Sequence, residues 1–484
     1  MNSEKKIQNI SLLIFILTAI FSVGQHQSDE YFQIIEFAQF KLGYISSADL
    51  PWEFHEKMRP TIQPWIAYAI IKSFHFFGID NPFRIEMIIR VITATSFWFI
   101  ISKLNQILSI KYFPDKKWSV LFYSATYLLW FVPYTSVRFS SENYSALFFL
   151  IGIYFFLKDE NKNRNLITMG AFFAFAVLFR YQISMAVLGA YLWMLIIAKI
   201  PFKSLLYSVI AFILVILFGI YLDFLFYNEF VLTAINYLKL NLIEGRASRY
   251  GIFSWWFYFE MPLLSMVPPI SMILIASFLF GLKRLSKNIL VWSIIPFILV
   301  HFLIGHKELR FMFPIIYLFI FIAIYGLQEF YKSREIKRWH RRLFRFSAGL
   351  NIILLVFMIF KPADEKVSYY SYLYKNIDNG NRQIVSAKKE IYHSLASLRS
   401  SFYRPANTLS DVIYSSDQLE TYLRNKEISS CYYIHDQYNY IGSIEGYELE
   451  KVYCIYPEWL KNINVLDWQK ILSAQSIYLV TKSN

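Results

Sequence analysis

Cysteine is close to absent: Cys431 and Cys454 are the only two in 484 residues. A disulfide-dense scaffold is excluded, and no Cys pair stands at zinc-ligand spacing. Both cysteines lie in the polar C-terminal stretch, and the sequence leaves open whether they pair, because it carries no geometry. The phosphate-cradling loops G-x-x-x-x-G-K-[ST] and G-x-G-x-x-G are missing, so the chain has no nucleotide fingerprint. H-E-x-x-H and G-x-S-x-G are missing too, which removes the zincin site and the nucleophile elbow. Charged residues make up only 17% of the chain, and Lys+Arg outnumber Asp+Glu by 48 to 34, a formal net charge of +14.

What the chain has instead is apolar surface. It is 56% hydrophobic and 20% aromatic, with mean hydropathy +0.38. Soluble chains of this size rarely reach such values, and several windows approach the roughly 20 residues that span a bilayer. The reading is an all-α polytopic membrane protein. Its basic excess then belongs to cytoplasmic loops and anionic headgroups, so membrane lipids are expected partners and nucleic acid is not.

Apolar runs fall near 7–24, 82–104, 118–134, 143–157, 166–180, 183–198, 204–222, 263–281, 288–304, 311–330 and 346–361, which predicts about eleven transmembrane helices. The first run follows Lys5 and Lys6 and shows no small-x-small cleavage site, so it is expected to stay as a helix. The stretch 64–77 is apolar but carries Lys72 and His75, which suits an interfacial helix better than a span. Putting the N-terminus inside places Lys103, Lys111, Lys116, Lys117, Lys158, Lys162, Arg164, Lys199, Lys203, Lys283, Arg284, Lys287 and the basic 332–345 stretch on the cytoplasmic side. Residues 1–361 are thus expected to form the membrane domain. Residues 362–484 turn polar and are expected to form a small α/β domain outside, with β-rich pieces at 430–435, 451–455 and 476–481 and helices over 382–400 and 415–425.

The same topology puts four polar clusters on the outer side: Asp29 and Glu30; Arg138 to Glu142; the 223–260 loop; and His306 to Arg310. The last sits in GHKELRFMF, 305–313, where ionisable residues separate two membrane-grade runs. A charge at the bilayer centre costs roughly 2.5–3.5 kcal/mol on insertion scales, so such a cluster must reach water, pair internally or line a cavity. The expectation is one polar cavity shared by these clusters. Asp29 and Glu30 suit a general base, a metal site or a proton path, or simply a cap on a helix beginning near Tyr31. Arg138 is spaced to pair with Glu142 or to hold a phosphate oxygen. Arg180 ends an apolar run and reads as a snorkelling side chain. Tyr250, Trp255 and their neighbours read as a sugar-site lining or as an interfacial aromatic belt.

These pieces resemble a known family. HKELRF is similar to the His-Lys-Glu-x-Arg-Phe signature of dolichyl-phosphate-mannose-dependent mannosyltransferases, glycosyltransferase family 22, whose relatives build lipid-linked oligosaccharides and glycosylphosphatidylinositol anchors. Asp29-Glu30 followed by aromatics and Gln, then Glu36, Trp52-Glu53 and Arg59, resembles their first loop. YGIFSWWFYF at 250–259 looks like their Tyr-Gly-x-x-x-Trp-x-x-Tyr-Phe loop, and RFSSE at 138–142 is loosely like an Arg/Ser/Glu region of theirs.

The resemblance implies a GT-C fold and an inverting transfer of a mannosyl or similar hexosyl residue. The donor would be a polyprenyl-phosphate sugar, the acceptor a glycan or glycolipid, and no cofactor or metal would be needed. Asp29 would accept the hydroxyl proton and Glu30 would orient the acceptor. His306, Lys307, Arg310 and Arg138 would bind the donor phosphate. Glu308 would brace Lys307 or Arg310, and Trp52, Arg59, Tyr250 and Trp255 would contact substrate. The expected location is a bacterial inner membrane or an endoplasmic reticulum, with the site on the periplasmic or luminal side. A transporter or flippase for lipid-linked sugars is the alternative, since it also needs a charged membrane cavity.

Overall fold

The computed structural model describes residues 3–160, 162–377, 383–392, 398–405, 408–435, 442–456 and 475–483. The chain divides into two compact units. The first comprises Met1–Ser22, Trp52–Ser73 and Glu86–Lys361; the second comprises Val23–Pro51, Phe74–Ile85 and Pro362–Asn484. Residues 23–51 therefore cluster with the C-terminal residues.

The first unit is helical, and every apolar run of the sequence holds a helix. Length, however, separates them. Among the described residues four helices are long and apolar enough to cross a membrane: Pro82–Tyr112, Phe202–Tyr227, Leu309–Tyr331 and Arg338–Phe360. A fifth is added if Ile270–Arg284 and Ile289–Leu303, bent by 120°, count as one span. The chain is a helical integral membrane protein, but eleven full spans is not what the helix lengths give. Asn163–Phe179 and Ser184–Ile196 have 17 and 13 residues. At 1.5 Å per residue these reach roughly 20–26 Å, short of a hydrocarbon core of about 30 Å. The 118–134 run is likewise broken, into Lys116–Leu128 and Phe131–Ser136. The 64–77 stretch lies in one helix, Ile62–Phe76.

Close helix approach depends on small residues. A Cβ on Gly326 would lie 2.0 Å from the Ser277 carbonyl oxygen, and one on Gly189 would lie 2.0 Å from that of Trp292. Glycine lets these backbones meet where lipid supplies no hydrophobic drive between helices. Caps then fix the ends that present polar residues. Ser140 Oγ accepts from Asn143 N at 3.2 Å, starting Ser141–Lys158. Asn288 Oδ1 accepts from Leu290 N at 2.8 Å, starting Ile289–Leu303.

The second unit contains a helical stretch interrupted by a π turn, Tyr31–Ile35, which runs into helix Glu36–Leu42. It also holds helix Lys366–Asn376 and, among the described residues, a five-stranded sheet. The strands are β1 (Gln383–Ala387), β2 (Leu409–Ile413), β3 (Ser430–His435), β4 (Tyr447–Cys454) and β5 (Ser476–Lys482), in the order β2-β1-β3-β5-β4. β1 pairs in parallel with β2 and β3, whereas β5 is antiparallel to β3 and β4. The helix expected over 382–400 is replaced by β1, whose Ile384 and Val385 are fully buried. A strand between two parallel neighbours is covered on both faces and shows no alternation to mark it. Residues 393–397, also within that expected helix, lie outside the described residues. The second expected helix is found as Leu419–Asn425. Cys431 and Cys454 are both free thiols.

Candidate active site

The HKELRF segment begins where helix Ile289–Leu303 ends. Ile304 is extended, and Lys307 Nζ turns back to donate to its carbonyl oxygen. A cation at a helix C-terminus meets the negative end of the helix dipole. Lys307 is only 2% exposed, and among the described residues no carboxylate pairs with it. Extended backbone at Glu308 then feeds the 3-10 turn Leu309–Ile315.

Glu308 gathers its two neighbours. Its Oε1 lies 3.1 Å from His306 Nε2, while Arg310 donates Nε to Oε2 at 2.7 Å and Nη2 to Oε1 at 3.0 Å. That is a two-pronged guanidinium–carboxylate pair. Burial alone would raise the Glu308 carboxyl. The hydrogen bonds from His306 and Arg310, with their charge, outweigh it and hold the group at about 2. His306 is raised in turn, first by the hydrogen bond to Glu308, against the lowering effect of burial. Its other ring nitrogen, Nδ1, faces the Gly251 carbonyl at 3.2 Å. Two acceptors on one imidazole favour the doubly protonated form.

A second loop seals this arrangement. Phe253 N donates to the Gly305 carbonyl at 3.0 Å, and Gly251 adopts φ +110°, a conformation suited to glycine. The Tyr250 ring lies 6.1 Å from the His306 ring, and Trp52 Nε1 donates to Tyr250 Oη at 2.7 Å. Arg246 lies over the Trp52 ring at 5.4 Å. Arg59 faces a different set, with Glu53 at 3.6 Å and the Tyr237 ring at 5.8 Å. Trp255 is 63% exposed and packs with Trp256 and Phe259, in the manner of an aromatic belt.

Behind Arg310 stands a buried layer that sequence reasoning missed. Glu142 Oε1 lies 3.5 Å from Arg310 Nη1 and 3.3 Å from Arg180 Nη1. Arg180 also donates to Ser141 Oγ at 3.2 Å. The Phe311 ring packs against both guanidinium groups, 5.1 Å from Arg180 and 5.5 Å from Arg310. Arg180 is therefore no snorkelling side chain: it is 7% exposed and ion-paired. The signal is the predicted topology, which puts the end of the run at Arg180 on the same side as the other polar clusters. Arg138, also buried, donates to the Ser22 carbonyl at 3.0 Å, to Ser22 Oγ and to the Tyr134 carbonyl at 3.2 Å.

Next to Arg180, Tyr181 Oη and Thr233 Oγ1 are 2.6 Å apart, and Thr233 donates to Asp223 Oδ2 at 2.6 Å. Thr61 donates to Asp223 Oδ1 through its backbone at 2.8 Å and its hydroxyl at 2.7 Å. These hydrogen bonds satisfy a buried carboxylate without a cation.

In the second unit, Asp29 and buried Glu30 open the helical stretch that leads to the π turn. Six residues beyond Glu30, Glu36 is 1% exposed and accepts from Ser401 N at 2.6 Å and Phe402 N at 3.2 Å. Tyr31 Oη accepts from Phe402 N at 2.8 Å, and its ring stacks on Tyr403 at 5.3 Å. Burial pushes the Glu36 carboxyl up to about 7, against the hydrogen bonds from Tyr31, Phe402 and Ser401.

The first unit brings four basic side chains and two carboxylates together. His306, Lys307, Arg310 and Arg180 stand against Glu308 and Glu142; Lys307, Arg310, Arg180 and Glu142 are buried, and His306 and Glu308 are partly exposed. Among the described residues no group of His, Cys, Asp and Glu is placed to hold a metal ion.

In fold, the chain is similar to ArnT from Cupriavidus metallidurans, solved bound to undecaprenyl phosphate, with TM-score 0.56 at 10% identity, covering 98% of this chain and 97% of that one. In sequence, it is 27% identical over 333 residues to GPI mannosyltransferase 3 of Candida albicans, covering 66% of this chain and 63% of the relative. It is 22% identical over 364 residues to GPI alpha-1,2-mannosyltransferase 3 of Homo sapiens, covering 72% and 62%. The matched stretch thus spans a little under two thirds of the length of these curated relatives. The sequence profile of one family matches residues 9–396, and the chain belongs to it: the Alg9-like mannosyltransferase family.

Proposed function

We propose that the chain is an inverting membrane mannosyltransferase that moves a mannosyl residue from a polyprenyl-phosphate donor to a glycan or glycolipid acceptor on the periplasmic or luminal side. The observation that carries this reading is the cationic junction at 306–310, above all buried Lys307, whose ammonium meets a helix-end carbonyl and no carboxylate among the described residues. A lipid phosphate supplies the missing negative charge. Family membership and the names of the relatives support mannose as the sugar, and the human relative's name supports an α-1,2 bond.

In the proposed reaction the acceptor hydroxyl oxygen bonds to the anomeric carbon from the face opposite the phosphate. The bond from that carbon to the phosphate oxygen breaks, and the lipid phosphate leaves with the electron pair. A β-linked donor therefore yields an α-linked product. The hydroxyl proton passes to the Asp29 carboxylate, a general-base role worth typically 10²–10⁴-fold. Lys307, His306 and Arg310 stabilise the charge that grows on the leaving phosphate, where fixed donors in a dry site act most strongly. Glu30 orients the acceptor, and Arg138 is assigned a supporting role at the phosphate. Tyr250 and Trp52 offer an aromatic wall for the sugar, with Arg59 and Trp255 further along the substrate path.

The test is incubation of the purified full chain with labelled polyprenyl-phosphate mannose and a synthetic mannosyl glycolipid. Label in the glycolipid, with polyprenyl phosphate released in equal amount, supports the reading. Donor moved across a vesicle membrane intact would make the chain a transporter. Asp29→Asn is expected to fold and lose transfer; wild-type turnover in that variant removes Asp29 as the base.

A further inference from the structure

The Glu142 carboxylate is buried where three segments converge: the start of helix Ser141–Lys158, the extended residue Arg180 after helix Asn163–Phe179, and the turn Leu309–Ile315. One of its oxygens faces two guanidinium groups, Arg310 at 3.5 Å and Arg180 at 3.3 Å. Two like charges share that oxygen and the Phe311 ring, and without the carboxylate they would repel in a medium that screens weakly. Arg310 is in turn the partner that orients Glu308, and Glu308 orients His306. Lys307 lies in the same short loop, between His306 and Glu308.

Resting on the function proposed above, we infer that Glu142 and Arg180 are positioning residues: they fix Arg310, and through it the loop that presents His306 and Lys307 to the donor phosphate. Neither residue touches substrate in this account. Each supplies the charge that keeps the other in place. Ser141 Oγ, at the start of the helix, accepts from Arg180 at 3.2 Å and donates to Glu142 Oε2 at 3.2 Å, which ties both members of the pair to one residue. The adjoining residues fasten the same turn from the other side: Tyr181 bonds Thr233, and Gln182 Nε2 donates to Tyr237 Oη at 2.5 Å. The residues 180–182 thus tie the cationic loop to the segment 233–237.

The test compares Glu142→Gln, Arg180→Gln and the double variant, each purified as full chain and assayed with polyprenyl-phosphate mannose. A displaced clamp costs transition-state contacts more than ground-state binding. Each single variant is expected to lose on the order of 10²-fold in kcat, with donor KM within about threefold of wild type. The double variant is expected to lose no more than either single, because the two residues act as one unit. Losses that multiply, or a fall in folded yield with kcat per folded molecule unchanged, would overturn the inference. So would a rise in KM alone, which marks direct binding. If a charge variant does not fold, Ser141→Ala removes only the hydroxyl that accepts from Arg180 and donates to Glu142 Oε2, and is expected to lower kcat roughly threefold at unchanged donor KM, about one weak hydrogen bond; wild-type kcat there counts against the clamp. Wild-type enzyme reports separately on the proposed function: if it leaves the donor intact, that reading fails, and the clamp is then read from Lys307 reactivity toward amine reagents, which Glu142→Gln is expected to raise and a non-positioning Glu142 would leave alone.

Discussion

Two carboxylates, the half-buried Glu308 of the first unit and the buried Glu36 of the second, have opposite fates. Glu308 is held at about 2 and Glu36 is pushed up to about 7. Both accept short hydrogen bonds, and burial raises both. The difference lies in the partners. Glu308 has a guanidinium and an imidazole, whereas Glu36 has a phenol and backbone N–H groups that carry no charge. Neutral donors satisfy an oxygen without repaying the desolvation of a charge. The first unit therefore stores fixed charges near neutral pH, as an anion site requires. The second uses its carboxylate as a latch between helix Glu36–Leu42 and residues 401–402.

The comparison breaks most visibly at Lys307. Lys307→Ala should lower transfer by roughly 10²–10³-fold, the usual loss when one donor to developing charge is removed. Normal rate and donor affinity in that variant would mean the cationic loop serves structure alone. Glu308→Gln is expected to cost about 1–3 kcal/mol near pH 6, as charged hydrogen bonds are lost. The sign follows from the shifts. The contribution of a carboxylate held at about 2 is present above the unfolded value near 4.3 and disappears as pH falls toward 2. That of a raised imidazole is full below about 6.5 and disappears as pH climbs through its folded value. Thermal unfolding against pH checks both, and a Gln variant that tracks wild type would sever Glu308 from the network.

Glu36 should behave in the reverse sense. Its folded form keeps a proton up to about 7, so its contribution falls as pH rises from about 4.5 to 7. Glu36→Gln is expected to flatten that slope and to gain on wild type at pH 8; parallel unfolding curves would refute the latch. Trp52→Phe supplies the neutral control. It removes one hydrogen bond to Tyr250, worth about 0.5–1.5 kcal/mol, and the cost should not vary with pH between 5 and 8.

Much of this was legible before any coordinates. HKELRF stood out because ionisable residues between two apolar runs demand an explanation, and β3 and β5 showed in the β-branched and aromatic residues at 430–435 and 476–481. β1 did not, since QIVSA is short and buried on both faces, so it carries no alternation. Arg180 was misread because an arginine ending an apolar helix usually reaches for headgroups, and only the fold brings it to Glu142. The backbone partners of Glu36 lie 365 and 366 residues away, a separation no local pattern encodes. The expected span number is not confirmed, for a metric reason: composition marks apolar runs, but whether a run crosses a bilayer depends on unbroken helix length.

The central claim is that the junction at 306–310 holds a lipid phosphate. The most direct measurement is equilibrium binding of a short-chain polyprenyl phosphate to the purified full chain in detergent, beside the uncharged polyprenol and beside Lys307→Ala. The account predicts tight, phosphate-dependent binding that weakens by more than tenfold in the variant. Equal affinity for the alcohol and the phosphate, or an unchanged variant, would contradict it.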